Sequence, residues 1–76
     1  MTFRFIGECD GQRVQQHGLD VKAATSEILD RAEHFKAMGF RVKKSTREGL
    51  PHIEIAQPKH LGGTTQAKFW IEREGG

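Results

Sequence analysis

The sequence predicts an α+β two-layer sandwich: one amphipathic helix packed on a mostly antiparallel sheet, with elements in the order ββαβββ. Three observations carry this. Residues 20–38 place apolar side chains at helical spacing, residues 2–19, 40–57 and 67–73 alternate apolar and polar, and short turn signals separate consecutive strands. The 76 residues hold material for one domain, taken as 1–76, with no internal repeat or linker. A chain this short buries only about 60% of the surface its unfolded form exposes. Little is left to wall a deep pocket, which favours function by an exposed surface.

Residues 2–19 read as a β-hairpin. Phe3 and Phe5 flank Arg4, and Asp10-Gly11 is a strong two-residue type I′ turn signal. Such a turn pairs Cys9 with Gln12, Glu8 with Arg13, Gly7 with Val14, and Phe5 with Gln16. Val14 then shares the core side with Phe3, Phe5 and Cys9, while Glu8 meets Arg13 on the other side. The second strand is short and polar, as edge strands are.

The helix spans Asp20–Met38. Asp20 is an N-cap and Gly39 a C′ stop. At about 100° per residue, Val21, Ala24, Ile28, Ala32 and Phe35 form one stripe, flanked by Leu29 and Met38. Glu27, Asp30, Glu33 and His34 fall opposite, with Glu27–Arg31 and Asp30–His34 in the favourable i,i+4 order.

Three strands follow. Phe40–Thr46 points Phe40 and Val42 inward and Arg41, Lys43 and Ser45 outward. Residues 47–51 (Arg-Glu-Gly-Leu-Pro) read as a turn. His52–Gln57 points Ile53 and Ile55 inward, and Pro58 ends it. Residues 59–66 form a loop loosened by Gly62-Gly63. Ala67–Arg73 points Ala67, Phe69 and Ile71 inward and Lys68, Trp70 and Glu72 outward. Met1 and the Glu74–Gly76 end are expected to fray.

Charge is asymmetric. Residues 1–38 carry five Lys/Arg against six Asp/Glu, a net of −1, and residues 39–76 carry seven against four, a net of +3. The excess gathers at 41–47, which permits an anionic partner or is simply a solvated face. A single cysteine rules out an internal disulfide, no signal-peptide pattern is visible, and no apolar run approaches the roughly 20 residues of a spanning helix, so the plain expectation is a cytoplasmic protein without membrane contact.

Function is sought on the sheet face away from the helix, where alternation puts Arg4, Ile6, Arg41, Lys43, His52, Lys68 and Trp70. An exposed tryptophan there calls for a covering partner; the competing reading tucks Trp70 under the 57–66 loop. The partner-binding set is Arg41, Lys43, Lys44, Arg47, His52, Lys68 and Trp70. No cofactor is expected. The four histidines lack ligand spacing and Cys9 has no second thiol, so no metal site is expected either. Cys9 facing the core is inert packing, and Gly62-Gly63-Thr64-Thr65 lacks the features of a phosphate-binding loop.

These features point to a small non-catalytic module that binds a protein partner, as a monomer or as a homodimer through an edge strand. By analogy of size and fold it is placed with regulators or inhibitors encoded by phages or bacteria, acting on a host nucleic-acid-handling or defence complex in an anti-CRISPR-like manner. The alternative is RNA or DNA binding through Arg41, Lys43, Lys44, Arg47 and Lys68. A second alternative comes from residues 27–55: helix, Gly39-Phe40, basic strand, turn, then His52 opening a strand. This fragment resembles the double-stranded-RNA-binding-like toxins that cleave messenger RNA. The resemblance covers under half of the chain and implies a general acid/base role for His52. That family has Gly-Ser/Thr-His where this sequence reads Gly49-Leu50-Pro51-His52.

Overall fold

The computed structural model describes residues 1–75, and Gly76 lies outside them. Five antiparallel strands form one sheet: β1 (Thr2–Cys9), β2 (Gln12–Leu19), β3 (Arg41–Arg47), β4 (Leu50–Ala56) and β5 (Thr65–Glu74), in spatial order β2-β1-β5-β4-β3. One helix, α1 (Val21–Ala37), covers one face. The fold is thus the α+β two-layer sandwich the sequence predicts, with a polar edge strand at β2.

Both hairpins close by the same device. Asp10 and Gly11 have φ of 52° and 77°, and Glu48 and Gly49 have 55° and 78°. Two consecutive left-handed residues make a type I′ turn, whose twist matches that of the flanking strands. The first hairpin has the register expected of it: Cys9–Gln12, Glu8–Arg13, Gly7–Val14 and Phe5–Gln16. A bulge then shifts Phe3 onto Leu19, around Gly18 at φ 72°. The Gly18 N–H, turned out of the ladder, donates to the Glu74 carboxylate at 2.6 Å, and His17 Nδ1 lies 2.8 Å from the same group. Glu74 is therefore paired strand, not a frayed end; the expected fraying of Gly76 falls outside the described residues.

The second turn corrects the sequence reading. Leu50 and Pro51 belong to β4, not to a five-residue turn, and Leu50 is buried. Pro51 is tolerated because it opposes Thr46, one pair beyond the Arg47–Leu50 pair that closes the turn. Ladder bonds alternate along an antiparallel pair, so that position needs no N–H towards β3. Pairing of β4 with β5 begins only at His52.

The helix starts where its cap dictates: the Asp20 carboxylate accepts from the Ala23 N–H at 2.7 Å. It ends at Ala37, with Met38 as its C-cap, followed by Gly39 at φ 93°. Ala24, Ile28 and Ala32 are buried against the sheet, with Phe35 partly so. The two alanines let the helix sit close. Opposite them lie Phe5, Ile53, Ile55, Phe69 and Ile71, and the rings of Phe5 and Phe69 stack with centroids 5.8 Å apart. Each fully buried large side chain contributes about 1.5–3 kcal/mol by leaving water.

The helix does not reach the far end of the hairpin. Val21 and Met38 are exposed, Val14 is 56% exposed, and Cys9 is exposed beside Asp10 rather than packed in the core. Partial burial and the neighbouring Asp10 carboxylate push the Cys9 thiol pKa up, so the thiol is reachable but weakly ionised. No helix among the described residues is long and apolar enough to cross a membrane.

Candidate functional site

The sheet face turned away from α1 is organised in rows that cross all five strands. One row runs Gln15, Ile6, Trp70, His52, Ser45. The next runs Arg13, Glu8, Lys68, Glu54, Lys43, so that charge alternates in sign from edge to edge. Directly opposed residues on neighbouring strands are close enough for each pair to interact favourably. Arg4 opposes Glu72 on β5 and donates to its carboxylate.

Trp70 is the centre of this face, and it is not exposed. Only 5% of it is accessible, which overturns the expectation of a bare indole. Arg13 from β2 and Arg47 from β3 lean in from the two edge strands, with guanidinium carbons 5.8 Å and 5.6 Å from the ring centroid. The His52 ring lies 6.1 Å away on the neighbouring strand, and Ile6 beside it is fully buried. The indole N–H donates to Glu72 at 2.9 Å. Ile6 and Trp70 thus form a small second apolar layer, roofed at the indole by two arginine guanidinium groups rather than by a helix.

Glu72 ties the face together. It accepts from Trp70 with one oxygen and from Arg4 with the other. These two bonds, the indole's foremost, lower its pKa below the usual carboxylate value. A charged acceptor holds the indole in one orientation, and the ring in turn sets where Arg13 and Arg47 can lie.

The residues singled out from sequence separate into two groups. Lys43, Arg47, His52, Lys68 and Trp70 come together on this face, with Arg41 at its corner opposite Ala56. Lys44 does not join them: it pairs with Ile53 and lines the helix side of β3. Sequence reasoning left Arg13 and Glu72 out of the partner-binding set, and both are central. The hairpin register already put Arg13 on the correct side. Its contact with Trp70 required knowing that β1 and β5 are neighbours, which no local pattern encodes.

The face can do some chemistry and not other kinds. It carries Arg4, Arg13, Arg41, Lys43, Arg47 and Lys68 against Glu8, Glu54, Glu72 and Glu74, an excess of positive charge (6 − 4 = +2). With Trp70 5% accessible beneath the Arg13 and Arg47 guanidinium groups, the face presents no bare ring of the kind on which bases stack. Ser45 Oγ lies 3.1 Å from His52 Nδ1, and among the described residues no carboxylate accepts from the other ring nitrogen. Groups of three or more His, Cys, Asp or Glu that could hold a metal ion are absent among the described residues. A hollow of about 470 Å³ beside the first turn gathers Glu8, Asp10, Arg13 and Lys68, charges of both signs.

The chain has no significant match among protein-family models, curated proteins or solved structures. The fold and the site therefore define it only as a two-layer α+β domain with an arginine-roofed, basic sheet face.

Proposed function

We propose that this protein is a non-catalytic interaction module that docks an acidic protein surface onto its outer sheet face, acting as a small regulator or inhibitor of a larger assembly. The supporting observation is the row Arg13–Glu8–Lys68–Glu54–Lys43 beside the roofed Trp70. A pure phosphate track wants uninterrupted cations. Alternating signs across a paired sheet face instead match one arrangement of charges and reject others, which is how protein interfaces gain specificity. The net excess of cations sets an acidic bias for the partner and speeds its approach.

The test is capture from the native cell or its host with three versions of the protein. Wild type and Lys22→Glu on the helix should retain the same partner, while Lys43→Glu with Lys68→Glu should lose it. Retention by the charge-reversed face would overturn the reading. Parallel gel shifts with RNA and DNA at two salt concentrations separate the nucleic-acid alternative: face-dependent binding that weakens steeply with salt would replace the protein partner by a phosphate backbone. Incubation with total RNA separates the ribonuclease alternative, since cleavage lost in His52→Ala would move the function to that side chain.

A further inference from the structure

The outer face is not the only surface without a covering element. Strand β3 is an edge, so one side of its backbone is unpaired. Which groups are free follows from the hairpin. The two-residue turn closes on the Arg47–Leu50 pair, and ladder bonds then alternate along Ser45–His52, Lys43–Glu54 and Arg41–Ala56. The N–H and C=O groups of Val42, Lys44 and Thr46 therefore point outward from the sheet edge.

Those same residues face the helix side, and there the sheet is not filled. Two adjoining hollows of about 210 Å³ and 220 Å³ lie between α1 and β3. Leu29, Ala32, Val42, Ile53 and the stem of Lys44 wall them, with Glu33 and Lys36 at the rim of the second, and Leu29 is 50% exposed. An open backbone edge and an apolar trough thus lie side by side, as strand addition requires: main-chain bonds supply affinity and the trough reads alternate side chains.

Charge selects the occupant. The strand reads Arg-Val-Lys-Lys-Ser-Thr-Arg, four cations and no carboxylate. It repels a second copy of itself and attracts an acidic strand. The other edge, β2, is interrupted by the Gly18 bulge, across which Glu74 is bonded.

We infer that β3 and the trough beside α1 form a second docking site that takes an extended segment of a partner protein with alternating apolar and acidic residues. Residues opposite Val42, Lys44 and Thr46 put apolar side chains into the trough. The intervening residues put carboxylates beside Arg41 and Lys43. Arg41 and Lys43 also border the outer face, but the strand's edge and the trough lie on its other side, so Leu29→Glu disables this site while leaving the outer face intact.

The experiment is an amide-resolved NMR titration with a capped peptide of about seven residues alternating valine and glutamate. Saturable shifts should appear at the Val42, Lys44 and Thr46 amides and at Leu29, and the matching valine–lysine peptide should bind at least about tenfold more weakly. Lys44→Pro removes an outward N–H that no ladder bond uses, so it should abolish binding with the fold intact by circular dichroism. Leu29→Glu, which puts charge into the trough without touching the strand, should do the same and keeps the test decisive if the proline variant unfolds. Absence of saturable shifts, or shifts centred on Lys68 and Arg13 that survive both variants, would overturn the proposal; the latter would assign the peptide to the outer face.

Discussion

The ring of Phe69 lies flat across Gly7, its cross-strand partner, so closely that a Cβ built on the glycine would come within 2.7 Å of two ring carbons. The absent side chain is what lets the ring stack on Phe5. The same Cβ would also meet Val14 Cγ2 at 3.1 Å. Gly7→Ala therefore overpacks the centre of the sheet, at a cost of about 1–3 kcal/mol. Removing glycine's freedom in the unfolded chain returns only about 0.4–1 kcal/mol. Urea unfolding should show a lower midpoint for the variant; an unchanged or higher midpoint would mean the ring has another place to go.

Trp70 is the only tryptophan and reports its own surroundings. With 5% of it accessible, native fluorescence should resist quenching by acrylamide and become quenchable on unfolding. Trp70→Ala removes the second apolar layer together with the anchor for Arg13 and Arg47, and should cost about 3–5 kcal/mol. Trp70→Phe keeps most of the buried area and loses the bond to Glu72, so it should be milder. Native quenching equal to that of free indole would show the roof to be open.

Glu48 holds a left-handed conformation, φ 55°, at the first position of the second turn. That conformation costs an ordinary side chain about 1–2 kcal/mol, and asparagine much less. Glu48→Asn gives the Asn-Gly pair that type I′ turns favour. The variant should melt at a higher temperature, with a gain of about 0.5–1 kcal/mol. No rise in the melting temperature would count against the assigned turn.

Acid should weaken the fold through Glu72 and Glu74. The Trp70 and Arg4 bonds lower the pKa of Glu72, and the Gly18 N–H and His17 lower that of Glu74. A carboxyl group with a lower pKa folded than unfolded binds its proton more tightly when unfolded. Its stabilising contribution is whole above the unfolded value of about 4.3 and is lost as pH falls through the folded value. Stability measured from pH 6 downward should fall across that window, and Glu72→Gln should flatten the fall. A variant with the same pH profile as wild type would show that the carboxylate is not held.

The fold was legible because its signals are local. Asp10-Gly11 specified a turn and thereby a register, Asp20 and Gly39 bracketed a helix, and period-two alternation assigned inward and outward residues of β3, β4 and β5. The sequence misled where a residue's environment depends on a distant strand. Alternation placed Trp70 correctly on the outer face and said nothing of Arg13 and Arg47 covering it, which are 57 and 23 residues away in sequence (70 − 13 and 70 − 47). Cys9 was assigned to the correct side of β1, but α1 does not extend over it. Pro51 reads as a turn residue in isolation; inside a strand it is acceptable only because of its register against Thr46.

The spatial order β2-β1-β5-β4-β3 makes the last strand the seam of the sheet. Each hairpin can close from neighbouring residues within microseconds. In the sheet β5 lies between them, pairing Phe5 with Ile71 and Ile53 with Phe69. Completing the sheet therefore depends on pairings of long sequence separation, Phe5 with Ile71 being 66 positions apart (71 − 5), the kind of contact that slows folding and prolongs the exposure of unpaired strand edges.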